Sequence, residues 1–99
     1  MIVNEIKEKN YLYFMEEVKL YQIYWSMNNK EFISQIIINS DLTNQIVVSD
    51  EHYKKNRYGN YKPARNCDIG KKDVINEIKQ QLVSEFLKFK ELDWLVKQD

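Results

Sequence analysis

His52 and Cys67 are the only histidine and the only cysteine in the sequence, and their side chains have the most obvious catalytic chemistry. His52 follows Glu51, which suggests a general base oriented by a carboxylate, but adjacent residues on a strand point to opposite faces. Cys67 lies among basic residues, yet no recognisable signature of a cysteine nucleophile surrounds it. We interpret His52 as an ordinary surface histidine and Cys67 as an incidental small residue. We expect no catalytic residue and no enzyme activity.

Metal and cofactor chemistry have equally little support in the sequence. One histidine and one cysteine cannot supply the three or four ligands of a usual zinc site. Asp41 lacks the spaced acidic partners and the glycine of an EF-hand loop. Gly59 and Gly70, the only glycines, are eleven residues apart and form no phosphate-binding fingerprint. The sequence predicts neither a metal site nor a cofactor.

A basic segment, residues 53–72, is the clearest candidate for function. It carries seven basic residues and one acid, a net charge of +6, which leaves −6 on the rest of this neutral chain. Both glycines and the only proline lie in it, so we predict a long basic loop. Loops of about twenty residues are usually functional or disordered. The predicted partner-binding residues are Lys54, Lys55, Arg57, Tyr58, Tyr61, Lys62 and Arg65.

Three interpretations of the basic segment remain open. Its cations contact an acidic protein patch or the RNA of a ribonucleoprotein, as a charged surface on a body of opposite sign would do. Alternatively, they contact phosphates directly while Tyr58 and Tyr61 stack on unpaired bases. In the third, the segment is a solvated loop whose cations offset the acidic body.

Length and composition predict one domain, residues 1–99. The chain is 43% hydrophobic, which argues against disorder, and its size allows a modest core. Charged residues interrupt the N-terminal region, and no apolar run approaches the roughly 20 residues of a membrane span. The abundance of Asn, Lys, Ile and Tyr is typical of AT-rich coding sequences of low-GC bacteria and their phages. We expect a cytoplasmic protein of a bacterial host, with no membrane partner.

The first third of the chain mixes helical and extended patterns. Ile2 and Ile6 are four residues apart among glutamates and lysines, which predicts a short helix over residues 2–9. Residues 11–17 fit a helix or a strand. Residues 18–27 are rich in β-branched and aromatic residues and predict extended structure, followed by a turn at Asn28 and Asn29.

Two further elements are predicted more clearly. Apolar runs at residues 32–38 and 46–48, separated by turn-forming residues, predict a β-hairpin. A helix is predicted over residues 73–96, because apolar residues recur at three and four positions on one face. That face consists of Ile75, Ile78, Leu82, Phe86 and Phe89. Val83, Leu87 and Trp94 form a second stripe, which needs another partner.

Together these elements predict an α+β fold. It comprises a short N-terminal helix, a two- to three-stranded antiparallel sheet, the long basic loop, and a long C-terminal helix packed on the sheet.

Three segments carry a resemblance to a known group of proteins. The opening NEIKEKNY at residues 4–11, the hairpin QIIINSDLTNQIVVSD at residues 35–50 and the C-terminal helix are similar in layout to small phage anti-CRISPR proteins. The resemblance implies a small, non-enzymatic blocker from a mobile element. The best-known members present a strongly acidic surface, whereas the segment here is basic, so DNA mimicry by that segment is not expected.

The sequence therefore predicts a small non-enzymatic, protein-binding inhibitor or adaptor of phage or mobile-element type. Its partner would be a protein or a ribonucleoprotein, such as a host nucleoprotein defence complex. The alternative is a module that binds nucleic acid directly through residues 53–72. A homodimer joined through the second helical stripe is a third alternative.

Overall fold

The computed structural model describes the backbone of residues 1–13, 16–39 and 46–98, and the side chains of residues 1–9, 19–38 and 46–90. Five strands are followed by one short and one long helix. The strands are β1 (Ile2–Tyr13), β2 (Glu16–Met27), β3 (Lys30–Asn39), β4 (Ile46–Lys55) and β5 (Tyr61–Pro63). The helices are α1 (Asn66–Ile69) and α2 (Lys72–Gln98).

The strands form a single antiparallel sheet in the order β1-β2-β3-β4-β5, and α2 packs on one of its faces. The fold-class prediction was therefore wrong. The layout is mostly β, with five strands in place of two or three and with no N-terminal helix in the described residues. Residues 11–13 and 16–17, which fitted either type of structure, are extended.

A β-bulge explains why residues 2–9 resemble a helix in sequence. The register between β1 and β2 shifts between Val3 and Glu5. A bulge inserts an extra residue, so the alternation of faces changes phase at that point. Met1, Val3 and Ile6 consequently all pack against the core, and their uneven spacing looks like a helical period.

The β2–β3 connection has the geometry of a tight hairpin. Asn28 and Asn29 have φ angles of 51° and 64°, the left-handed conformation that two-residue hairpin turns require. Asparagine tolerates this conformation better than most residues. The predicted turn is confirmed, and it fixes the register that places Trp25 opposite Phe32.

The predicted hairpin of residues 32–48 is confirmed in its strands. Ile36, Ile37 and Ile38 pair with Val48, Val47 and Ile46. The residues between the strands, 40–45, lie outside the described part of the chain. Ile36 faces the core and is fully buried, whereas Val47, on the other face, is 52% exposed.

The long helix α2 closes the core. Ile78, Leu82 and Phe86 are buried against the sheet, with Ile75 and Phe89 partly buried beside them, as the first stripe predicted. In the second stripe Leu87 is 50% exposed, and the side chain of Trp94 lies outside the described residues. None of the helices in the described part of the chain is both long and apolar enough to cross a membrane.

Candidate binding surface

The basic segment is ordered structure, so the prediction of a long loop was wrong. It holds the end of β4, the strand β5, the helix α1 and the start of α2. The backbone N–H of Asn56 donates to the carbonyl of Asn60 (2.8 Å), and that of Gly59 donates to the carbonyl of Asn56 (3.0 Å). Gly59 has a φ of +84°, which suits a short hairpin loop of this kind.

Asn56 also holds the turn through its side chain. Its Oδ1 accepts hydrogen bonds from the backbone N–H groups of Tyr58 (2.9 Å) and Asn60 (3.0 Å). Such Asx contacts satisfy turn backbone that would otherwise depend on water. The tip, Arg57 and Tyr58, is therefore presented by an organised β4–β5 hairpin.

Helix α1 fastens the other end of the segment to the core. Ile69 is 7% exposed and belongs to the core cluster. The Asp68 carboxylate accepts a hydrogen bond from the backbone N–H of Arg65 (2.9 Å). That bond, aided by nearby Lys54, Arg65 and Lys30, holds the pKa of Asp68 below its usual value. Gly70 is required next, because a Cβ there would lie 3.0 Å from the Val74 side chain and its φ is +154°.

Four basic residues line one cleft beside the hairpin, which we call the basic cleft. Its volume is about 380 Å³, and it is lined by Lys54, Lys55, Asn56, Arg57, Lys62, Pro63 and Asp68. Lys54 and Lys62 are direct cross-strand partners, so two like charges face each other. Opposed like charges destabilise an antiparallel pair. Within the described residues, Lys54, Arg57 and Lys62 form no ion pair.

The other predicted residues differ from Lys54, Arg57 and Lys62 in their contacts or their position. Lys55 bonds Glu31 (3.1 Å), which raises the pKa of its ammonium group. Tyr61 packs edge-to-face on Tyr24 with ring centroids 6.0 Å apart, and burial raises the pKa of its hydroxyl. Arg65 is exposed before α1 and does not line the cleft.

Tyr58 is the accessible aromatic side chain at the hairpin tip. It is 73% exposed, and the Arg57 guanidinium lies 4.9 Å from its ring centroid. Arg57 also donates a hydrogen bond to the Tyr58 hydroxyl (2.8 Å). Of the predicted residues, Lys54, Arg57 and Lys62 line the basic cleft without an ion pair in the described residues, and Tyr58 lies exposed at the hairpin tip. Lys55 is paired with Glu31, and Tyr61 packs on Tyr24.

Comparisons with known families, with curated proteins and with solved structures find no match.

A second polar cluster was not expected from the sequence. His52 is 4% exposed, so its interpretation as a surface histidine was wrong. The pairing of β3 with β4 is irregular at this point. Ser34 pairs with His52 and Ile36 pairs with Val48, so one residue of β3 lies opposite three residues of β4. The sequence did contain a signal for the burial of His52, because Ile46, Val48 and His52 are separated by even numbers of residues and so lie on the same face of a strand.

The cluster is a buried chain of hydrogen bonds. The indole Nε1 of Trp25 donates to Ser34 Oγ (2.8 Å), and Ser34 Oγ lies 2.7 Å from His52 Nδ1. A serine and a histidine in this arrangement resemble a nucleophile and its base. Ser34 is fully buried, however, so no substrate reaches it in this structure. Cys67 is exposed, and among the described residues no group of side chains is suited to hold a metal ion.

Stability should depend on pH through His52. Burial, followed by the nearby Lys79 charge, lowers the pKa of His52 in the folded protein, and Asp50 opposes that effect. The stabilisation is therefore complete above the unfolded-state pKa of about 6.5 and is lost as the pH falls toward the folded-state value. We expect the urea midpoint to fall between pH 7.5 and about pH 5.5.

The control for this prediction is His52→Gln. His52 is the only histidine. Whatever the variant's absolute stability, its urea midpoint should change much less over the same pH range. An equally steep change in the variant would show that another group causes the dependence.

Proposed function

We propose that this chain is a small non-enzymatic binding protein, an inhibitor or adaptor of phage or mobile-element type. It contacts its partner with the basic cleft and the hairpin tip. The observation that carries the proposal is the set of three cations, Lys54, Arg57 and Lys62, gathered on ordered backbone beside a single carboxylate, with no ion pair to any of the three in the described structure. A bound anionic group would relieve the repulsion between Lys54 and Lys62.

The shape of the charge distribution favours a protein or ribonucleoprotein over free nucleic acid. The cations surround one cleft that also contains the Asp68 carboxylate. The chain outside residues 53–72 carries −6, which repels a phosphate backbone beyond the hairpin. A compact anionic feature on a partner surface therefore fits better than a long polyanion.

The partner class we propose is a nucleoprotein complex of a bacterial host. The anti-CRISPR resemblance that motivates this choice loses one of its features, because residues 4–10 lie in β1 instead of a helix. The proposal is now supported by the small basic cleft. It is also supported by the burial of Ser34 and His52, which leaves no accessible pair of catalytic side chains among the described residues.

The test is affinity capture of partners from a bacterial lysate, with and without nuclease. The tagged protein should retain the same captured protein after nuclease treatment, or retain a ribonucleoprotein whose RNA is protected. Capture of nucleic acid alone, or complete loss of every captured protein after nuclease treatment, would contradict the proposal.

Direct binding of single-stranded nucleic acid is the second candidate, and the exposed Arg57–Tyr58 tip favours it. Four phosphate contacts would give a log–log salt slope of about −3 on a single strand. In that case Tyr58→Ala should weaken binding by about 1–3 kcal/mol. Under the inhibitor proposal, a random oligonucleotide should bind only weakly at 0.15 M salt, which fluorescence anisotropy measures directly.

A further inference from the structure

A second cleft lies between the start of α2 and the middle of β4, which we call the helix-start cleft. Its volume is about 490 Å³. Its lining comes from the β4 irregularity, the α1–α2 connection and the first turns of α2, and consists of Asp50, His52, Asn66, Gly70, Lys72, Ile75, Asn76 and Lys79. None of these eight residues belongs to the basic cleft.

Lys72, the first residue of α2, lines this cleft. The first helical bond runs from the N–H of Ile75 to the carbonyl of Lys71 (3.0 Å). The preceding N–H groups, those of residues 72–74, have no acceptor in the described part of the chain. Such groups, together with the helix dipole, favour a negative charge. Lys72 adds a cation, although exposed Asp73 in the same turn partly offsets it.

The buried His52 provides a second, independent observation at this cleft. Trp25 can only donate, so Ser34 Oγ accepts from it and has its own proton free for His52 Nδ1. When that proton bonds Nδ1, the imidazole carries its own proton on Nε2. That atom is buried and has no hydrogen-bond partner, and His52 lines the helix-start cleft. Buried polar groups of this kind normally have a partner, and a donor needs an acceptor oxygen.

An acidic side chain of the protein already occupies part of the cleft. The Asp50 carboxylate, which lines it from β4, is paired with Lys79 of α2. The Asp50 side chain is nevertheless 90% exposed, so most of its surface faces solvent. In this contact the Lys79 ammonium donates a hydrogen bond to a carboxylate oxygen.

We infer that the helix-start cleft is a binding site for a small oxyanion, a phosphate or carboxylate group. The ligand takes the place of the Asp50 carboxylate on Lys79. It accepts a further hydrogen bond from Lys72. Once the Asp50–Lys79 pair separates, His52 Nε2 donates to the same ligand. Asp50 is the competing group, so its removal should strengthen binding.

The experiment is an NMR titration of the isotope-labelled full chain with inorganic phosphate, and separately with acetate, at fixed pH and ionic strength. We expect saturable shifts of the backbone amide of Lys72 and of the His52 imidazole. Asp50→Asn should bind about threefold more tightly and Lys72→Gln about threefold more weakly. Lys88→Gln, a control on an exposed part of α2, should bind like the wild type.

The outcomes separate clearly. Saturation by phosphate alone supports a phosphate site, and saturation by both anions supports a general oxyanion site. No saturation by either anion, shifts confined to the β4–β5 hairpin, or an Asp50→Asn variant that binds no more tightly would overturn the inference. The proposed function is separate, since neutralising Lys54, Arg57 and Lys62 should leave these shifts unchanged.

Discussion

Replacing Phe86 by alanine should lower the free energy of unfolding by about 3–5 kcal/mol. Phe86 is 1% exposed, and its ring meets that of Tyr21 edge-to-face with centroids 4.7 Å apart. The substitution removes most of a buried aromatic side chain and leaves a cavity between α2 and β2. Urea denaturation monitored by circular dichroism would measure the change.

The adjacent residue provides a matched control. Leu87 is 50% exposed on the same helix, so Leu87→Ala should change the free energy of unfolding by no more than about 0.5 kcal/mol. Equal effects of the two substitutions would mean that α2 presents a different face to the sheet.

Replacing Lys54, Arg57 and Lys62 of the basic cleft by glutamine should greatly weaken partner binding and leave the stability of the fold almost unchanged. Losing three exposed charge pairs at up to about 1 kcal/mol each would weaken partner binding by about 100-fold. The combined variant Lys54→Gln, Arg57→Gln and Lys62→Gln should keep its melting temperature or gain slightly, because the Lys54–Lys62 repulsion disappears.

The control variant neutralises three exposed lysines elsewhere. Lys9, Lys19 and Lys88 change the net charge by the same amount when replaced by glutamine. This variant should retain the partner captured by the wild type. If both variants lost the partner equally, net charge alone would explain binding, and the cleft would have no special role.

The long C-terminal helix was predictable because its pattern is regular. The stripe of Ile78, Leu82 and Phe86 follows the helical period over three turns, and all three residues are buried. The basic segment was located correctly as a charge cluster. Its hairpin was missed, although Tyr53 and Lys55 pair with Pro63 and Tyr61 around a turn at residues 56–60.

The N-terminal error has a physical cause in the bulge. Sequence periodicity assumes an uninterrupted element, whereas the extra residue near Asn4 puts Val3 and Ile6 on the same sheet face. Register shifts of this kind depend on contacts between strands and not on local propensity, so one sequence does not reveal them.

The most direct test of the central claim is photo-crosslinking at the hairpin tip. A photoreactive phenylalanine analogue at position 58 would replace the exposed Tyr58, and the same analogue at position 87 would report from the exposed helix surface. Irradiation in a bacterial lysate should give a specific, nuclease-resistant protein adduct from position 58 and none from position 87. An adduct from position 87 alone, or only nucleic-acid adducts from position 58, would contradict a protein-binding role for the basic hairpin.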